Sequence, residues 1–393
     1  MRRKFKPNLL VLIVLAIALG IGCGFIMPVW GARVFLTFNA IFAQFLGFMI
    51  PLIIVGFVAP AIAQIGRNAG LMLVVTVAIA YLFTSMSGFF ALGVGEWIFP
   101  SLVEPRHLQP TAAEALGPYF TVEMPPLMSV MTALVFAFVT GICMAYLKAS
   151  ALRRGFEEFR DCVQLAVMKA IIPLLPLYIF GIFLNMTMEG EVAAVLGTFA
   201  GIIGVIFVMH IVLLLFQYCA AALFVRRNPV KMLVTMLPAY FTALGTQSSA
   251  ATIPVTLRQT VKMGVSEEIA GFVVPLCATI HMSGSTMKIV ACALAVMIME
   301  GMAWSTGMFA GFIMMLGITI VAAPGVPGGA IMASLGLLAS ILGFNADQQS
   351  LMIALYITMD SFGTACNVTG DGSIAQIIQH FFGRKSPHPA IVA

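Results

Sequence analysis

The sequence predicts an all-α polytopic membrane protein, and three observations carry that expectation. The chain of 393 residues is 61% hydrophobic and only 9% charged, where soluble domains carry about 25% charged residues. Its mean hydropathy is +1.07. The apolar runs are long and continuous, unlike the short alternating segments of a β-barrel. A length of this order accommodates eight transmembrane helices with their loops.

Six full crossings are expected first, over residues 8–30, 34–65, 69–99, 126–148, 164–189 and 192–225. The basic start (Arg2, Arg3, Lys4, Lys6) followed by an apolar run also fits a signal peptide. The run is long for that and has no clear small-residue cleavage site, so it reads as a first membrane helix. The stretch 100–125, with five prolines and Glu104, Glu114 and Glu123, reads as an external loop. The amphipathic stretch 152–161 reads as a solvated internal linker. The formal charge of +5 is explained by placement and requires no nucleic-acid partner. Arg67, then Lys148, Arg153, Arg154 and Arg160, then Arg226, Arg227 and Lys231 fall in alternate loops, as do Arg258, Lys262, Arg384 and Lys385. The positive-inside rule then puts both termini in the cytoplasm of a plasma membrane, the inner membrane in a Gram-negative cell. Seven cysteines lie scattered without metal-binding spacing, and read as buried thiols.

The second half is patterned differently. The apolar run 229–259 is interrupted by Gly245-Thr246-Gln247-Ser248-Ser249, and the run 307–343 by Pro324-Gly325-Val326-Pro327-Gly328-Gly329. Each arm is too short to span a core about 30 Å thick. A longer segment follows each one, 267–300 and 351–382. A broken element followed by a spanning helix thus occurs twice, which predicts two re-entrant helical hairpins entering from opposite sides. Two spanning helices merely kinked by Pro and Gly are the plainer alternative.

Polar residues at membrane depth gather in four places: Thr246–Ser249, Thr279–Ser285, the second tip, and the last helix. A helical reading of that last segment sets Asp360, Thr364, Asn367 and Asp371 along one face. A charge at the bilayer centre costs at least about 2.5–3.5 kcal/mol, so each acid there is expected to have a partner and a role. Carboxylates, hydroxyls and free amides at hairpin tips together suit a zwitterion, with the half-helix N-termini favouring its carboxylate and Asp360 its ammonium.

The runs Ser248-Ser249 with Thr252-Ile253-Pro254-Val255-Thr256, Pro275 to Gly284, Gly325-Val326-Pro327-Gly328 and Asn367-Val368-Thr369-Gly370-Asp371, with Tyr81-Leu82-Phe83-Thr84-Ser85, resemble the dicarboxylate/amino acid:cation symporter family, the glutamate-transporter homologues. The resemblance covers about 230–382 well and the first half mainly by hydropathy. It implies a homotrimer and an elevator-type transporter. It divides the chain into residues 1–68 (scaffold helices one and two), 69–99 (a transport-domain helix three), 100–225 (the external loop and helices four to six, mainly scaffold) and 226–393 (a transport core with both hairpins and helices seven and eight).

The resemblance also implies site residues. Asp360 is the partner of a substrate ammonium. Asn367 is the partner of its α-carboxylate, with amides around Ser248 and Ser249. Ser285 stands where a substrate-lining Thr is usual. Gly328, Thr364 and Tyr356 complete the expected substrate set, Tyr356 equally fitting a packing role. Gly363 occupies the position that holds Arg in acidic-amino-acid transporters, so a neutral amino acid is the expected substrate. The alternative is an acidic amino acid or dicarboxylate read by Lys288 from the neighbouring helix. Lys288 also fits a fixed internal cation in the cation or proton site, neutralising an acid that elsewhere holds sodium, or simple snorkelling to an interface.

One implied sodium site keeps Thr84 and Ser85, next to Tyr81, but has Ser283 in place of an acid. A second uses Asp371 with carbonyls near Cys277, His281 and Asn367. A third uses carbonyls around Thr279 and in the second hairpin. Neutral oxygens alone hold a hard cation weakly, so a proton is expected to replace some or all of the sodium. His281 is its candidate carrier, because imidazole is the side chain that changes charge near neutral pH; a hydrogen-bonded packing role is the alternative. No resident cofactor is expected. A membrane enzyme built on His281 and an acid has no nucleophile or cofactor motif to support it, and an uncoupled channel or sensor is the remaining class.

Overall fold

The computed structural model describes residues 9–67, 70–103, 116–147, 150–190, 192–321 and 328–383. Regular structure among these is helical throughout. Four helices open the chain: α1 (Leu9–Gly24), α2 (Val29–Arg67), α3 (Leu71–Leu102) and α4 (Val130–Tyr146). At ~1.5 Å per residue, α2 with its 39 residues is far longer than a bilayer core requires.

The expected linker at 152–161 is instead part of α5 (Ser150–Ala166), which continues through one π-helical turn, Val167–Ile171, into α6 (Ile172–Met188). The π turn has a local cause. Pro173 and Pro176 lack the amides that would bond the carbonyls four residues earlier, and the Ile172 amide donates to Val167, five residues back. Phe159 and Val163 lie against Gly56 of α2. On the polar side Arg153 pairs with Glu157 and Arg160 with Asp161. Next comes α7 (Val192–Val225).

In the second half, α8 (Pro229–Thr246) and α9 (Ser249–Lys262) form a hairpin. Asn228 caps α8 ahead of Pro229, Gln247 turns the chain in a left-handed conformation (φ 54°), and the Ser248 hydroxyl accepts from the Ala251 amide to start α9. The segment 267–300 is two helices, α10 (Glu267–Ile280) and α11 (Ser283–Met299), parted at His281-Met282. Then α12 (Thr306–Ile320) and α13 (Gly329–Ser340) flank the second tip, whose residues 322–327 lie outside the described residues. The last segment also departs from expectation. It is α14 (Ala346–Thr358) and α15 (Asp360–Phe382), bent by 62° at Met359. The stripe from Asp360 to Asp371 survives because it lies wholly within α15.

Among the described residues, five helices are long and apolar enough to cross a membrane, or six if α14 and α15 count as one span. They differ in what surrounds them. The span Glu267–Met299 is 94% buried within the protein, against 39% for Leu196–Val225. The polar segments therefore face protein rather than lipid. Two groups of helices are apparent from their packing: α1 lies on α6, and α2 on α4 and α5, whereas α15 packs on α7, α8, α9, α10 and α11, and α3 on α11. Hence α7 sits with the second half. The groups meet where α13 touches α2 and α4, where α14 touches α1 and α6, and where α7 touches α6.

Candidate functional site

Two breaks in helices bring the polar residues together. At the first, α11 begins deep inside the protein and its leading amides need acceptors. Asn367 of α15 supplies one: its Oδ1 accepts from the Gly284 amide at 2.8 Å and the Ser285 amide at 3.3 Å. Its Nδ2 donates to the Ser285 hydroxyl at 3.0 Å, which also accepts from the Tyr356 hydroxyl at 3.2 Å. The helices approach this closely because residue 284 is glycine. A Cβ there would stand 2.7 Å from both the Gly363 carbonyl oxygen and the Cys366 Cβ. Asn367, implied as a carboxylate ligand, is thus engaged in capping α11.

The second break, between α14 and α15, holds Lys288. The side chain is fully buried, which removes the snorkelling alternative. Its Nζ donates to Met359 O at 3.2 Å, Tyr356 O at 3.4 Å and Asp360 Oδ1 at 3.4 Å. It also lies 3.5 Å from the Tyr356 ring centroid. Asp360 Oδ2 accepts from the Gly328 amide at 2.7 Å, which ties α15 to the start of α13. Two buried charges in contact offset each other's desolvation, whereas either alone costs several kcal/mol. A Cβ on Gly363 would stand 2.8 Å from the Lys288 Nζ.

One layer away, His281 Nδ1 and Asp371 Oδ1 are 2.9 Å apart, both buried. The other ring nitrogen is 3.3 Å from Gln217 Nε2, which donates to the Ser283 hydroxyl at 2.9 Å. The Cys277 carbonyl accepts from the His281 amide. Thr84 Oγ1 accepts from the Met282 amide at 3.3 Å, and Ser87 donates to the Ser283 carbonyl at 2.7 Å. These two bonds fasten α3 to the break. Ser85 and Tyr81 lie against Gly317 of α12, and the Tyr81 hydroxyl donates to Met314 O. Thr279 is exposed, with its hydroxyl turned back onto Leu276 O.

Of the expected substrate residues, Ser249, Ser285, Tyr356, Asp360, Thr364 and Asn367 line one cavity of about 30 Å³. That is room for a water or two rather than a solute. Ser248 caps α9, Gly328 holds Asp360, and Gly363 lies against Lys288. Sequence reasoning missed Gln217, Ser87 and Tyr218, whose hydroxyl donates to Thr369 O at 2.7 Å. The signal was present: Gln217 and Tyr218 are polar groups inside an apolar helix.

The model of the sodium:dicarboxylate symporter family matches residues 9–381. Among curated proteins, excitatory amino acid transporter 4 of Mus musculus is 28% identical over 64% of this chain and 45% of its own length. Excitatory amino acid transporter 2 of Homo sapiens is 31% identical over 39% of this chain and 27% of its own length. Excitatory amino acid transporter 1 of Rattus norvegicus is 28% identical over 63% and 46%. The chain thus aligns with less than half the length of each of these relatives. A symporter family gives the enzyme alternative no support. From the capped break in α11, the paired acids of α15 and a match over nearly the whole chain, it follows that this chain belongs to the sodium:dicarboxylate symporter family.

Proposed function

We propose that the protein is a secondary transporter of a small carboxylate-bearing solute. The single observation that carries the substrate class is Lys288. Its ammonium stands against Gly363, the position from which an Arg reads acidic side chains in the resemblance, and it already holds Asp360 at 3.4 Å. A positive charge is therefore supplied at that place from α11. Asp360 is neutralised by the protein, and a substrate ammonium would meet Lys288 rather than a free acid. An acidic amino acid or a dicarboxylate fits this arrangement better than the neutral amino acid expected from Gly363 alone. The neutral amino acid remains the second reading, favoured by the place of Asp360 in the cavity wall.

Coupling follows the same logic. Asp371 has a partner within the protein, the His281 imidazole at 2.9 Å, and Ser283 brings no acid to the other implied sodium site. A proton carried at His281 then takes the place of a sodium ion, with Asp371 the one acid left to hold sodium. The working assembly is a homotrimer in the plasma membrane with cytoplasmic termini. Its eight crossings and two re-entrant hairpins are arranged for an elevator step of the α3 and α7–α15 group against the rest. Uptake of succinate, aspartate and serine into proteoliposomes, driven separately by inward sodium and proton gradients, tests the substrate and the coupling ion. Proton-driven uptake of succinate or aspartate is the expected result. Serine uptake that requires sodium and ignores pH overturns both parts. Anion leak without solute exchange indicates a channel.

A further inference from the structure

We infer that the break between α14 and α15 is a monovalent-cation site that the protein fills with its own Lys288. The Nζ is surrounded by two carbonyl oxygens from the end of α14, a carboxylate oxygen from the first residue of α15 and the face of an aromatic ring. The Tyr356 carbonyl also accepts from the Met359 amide, and the Met359 carbonyl from the Phe362 and Gly363 amides; a carbonyl oxygen has two lone pairs, so each can still face a cation. An aromatic face adds attraction for a cation. This donor set suits ammonium or a large alkali ion.

The distances sharpen the point. All four contacts fall between 3.2 and 3.5 Å. An ammonium docked on a single carboxylate sits closer, at about 2.7–2.9 Å. Here the contacts are longer than an ordinary hydrogen bond, and the charge is shared among four neighbours rather than docked on one. The lysine stem only delivers it, from a stretch of α11 that is apolar beyond Lys288. The site is separate from the His281–Asp371 pair. A small cation could reach it through the cavity that Asp360 and Tyr356 line.

Removing the tether while keeping the donors therefore creates a site for an added ion. The test is thermal unfolding of detergent-purified full-length Lys288→Ala in ammonium, methylammonium, potassium or sodium chloride, against choline chloride at equal ionic strength. A ligand that binds only the native state raises the melting temperature. The variant is expected to melt below the wild type, and ammonium or methylammonium to raise its melting point by at least about 3 °C over choline. Wild type responds alike to ammonium, methylammonium and choline, and any sodium response of its own is subtracted from that of the variant. Adding Asp360→Asn to the variant abolishes the rise. An equal response to choline, or no response, overturns the site. If Lys288→Ala is not recovered folded, Lys288→Gln, which keeps donors for the carbonyls but no charge, is measured in the same salts with the same criteria. The readout is stability, so absence of carboxylate transport would sink the proposed function and leave this inference standing, and the reverse also holds.

Discussion

At the scale of single residues, the chemistry turns on where a positive charge is kept. Lys288→Met strips Asp360 of its partner and leaves a buried carboxylate uncompensated, at a cost of about 3–5 kcal/mol. Gly363→Arg alone brings a second cation against the first, since even a Cβ there would reach 2.8 Å from Nζ. The double variant Lys288→Met with Gly363→Arg moves the charge from α11 to α15 within one volume. It is expected to melt well above either single variant and to recover aspartate uptake that each single variant loses. Additive losses, measured by melting and uptake, would show that the two positions do not share a charge. This pairing was only half legible in the sequence. Lys288 stood out as a charge deep in an apolar segment, but snorkelling and substitution for an Arg read the same way in one dimension. Their separation required knowing that Gly284 lets α11 lie directly on α15. Gln217 was missed for a related reason: one amide in a long apolar helix gives no indication of which face it occupies.

At the scale of elements, glycines set the distances at which the helices work. Gly284 is a tight case at the site, because what a Cβ would strike includes backbone, the Gly363 carbonyl, which does not move aside. Gly284→Ala is expected to force α11 from α15 and to cost about 1–3 kcal/mol. Gly271 is the internal control: it lies in α10 with nothing near its added Cβ. Gly271→Ala should be neutral or stabilising by up to about 1 kcal/mol, since alanine is the better helix former. Melting temperatures of the two variants check the contrast, and equal shifts would contradict it. The sequence announced some element boundaries and hid others. The first hairpin was legible because a left-handed Gln247 follows Gly245 and a Ser248 cap starts α9. The α14–α15 bend was not, because no Pro or Gly marks Met359. Tertiary contacts hold that break, with Lys288 bonded to the carbonyls on its near side and Asp360 on its far side. The continuity of α5 with α6 was hidden by the opposite effect, since charged residues resemble a linker until their apolar side is seen against α2.

At the scale of the whole molecule, the two helix groups touch where α14 lies on α6, and a polar bond crosses between them there among the described residues. The Tyr178 hydroxyl of α6 meets the Ser350 hydroxyl of α14, both buried. Apolar surfaces slide over one another with little change in energy from one position to the next, because the hydrophobic effect is non-directional. A hydrogen bond is directional, so it marks one position of α14 against α6 and must break before another is reached. The net worth of such a bond is about 1 kcal/mol. Tyr178→Phe removes it and leaves the aromatic ring in place, 4.9 Å from Phe42, so the packing is kept. If movement away from this position limits the cycle, initial uptake rises by up to about fivefold, the rate equivalent of that energy, with an unchanged dependence on solute concentration. Ser350→Ala removes the same bond from the other side and is expected to match it. A slower rate in both variants, with melting temperatures at the wild-type value, would mean that the bond serves the moving state rather than the resting one.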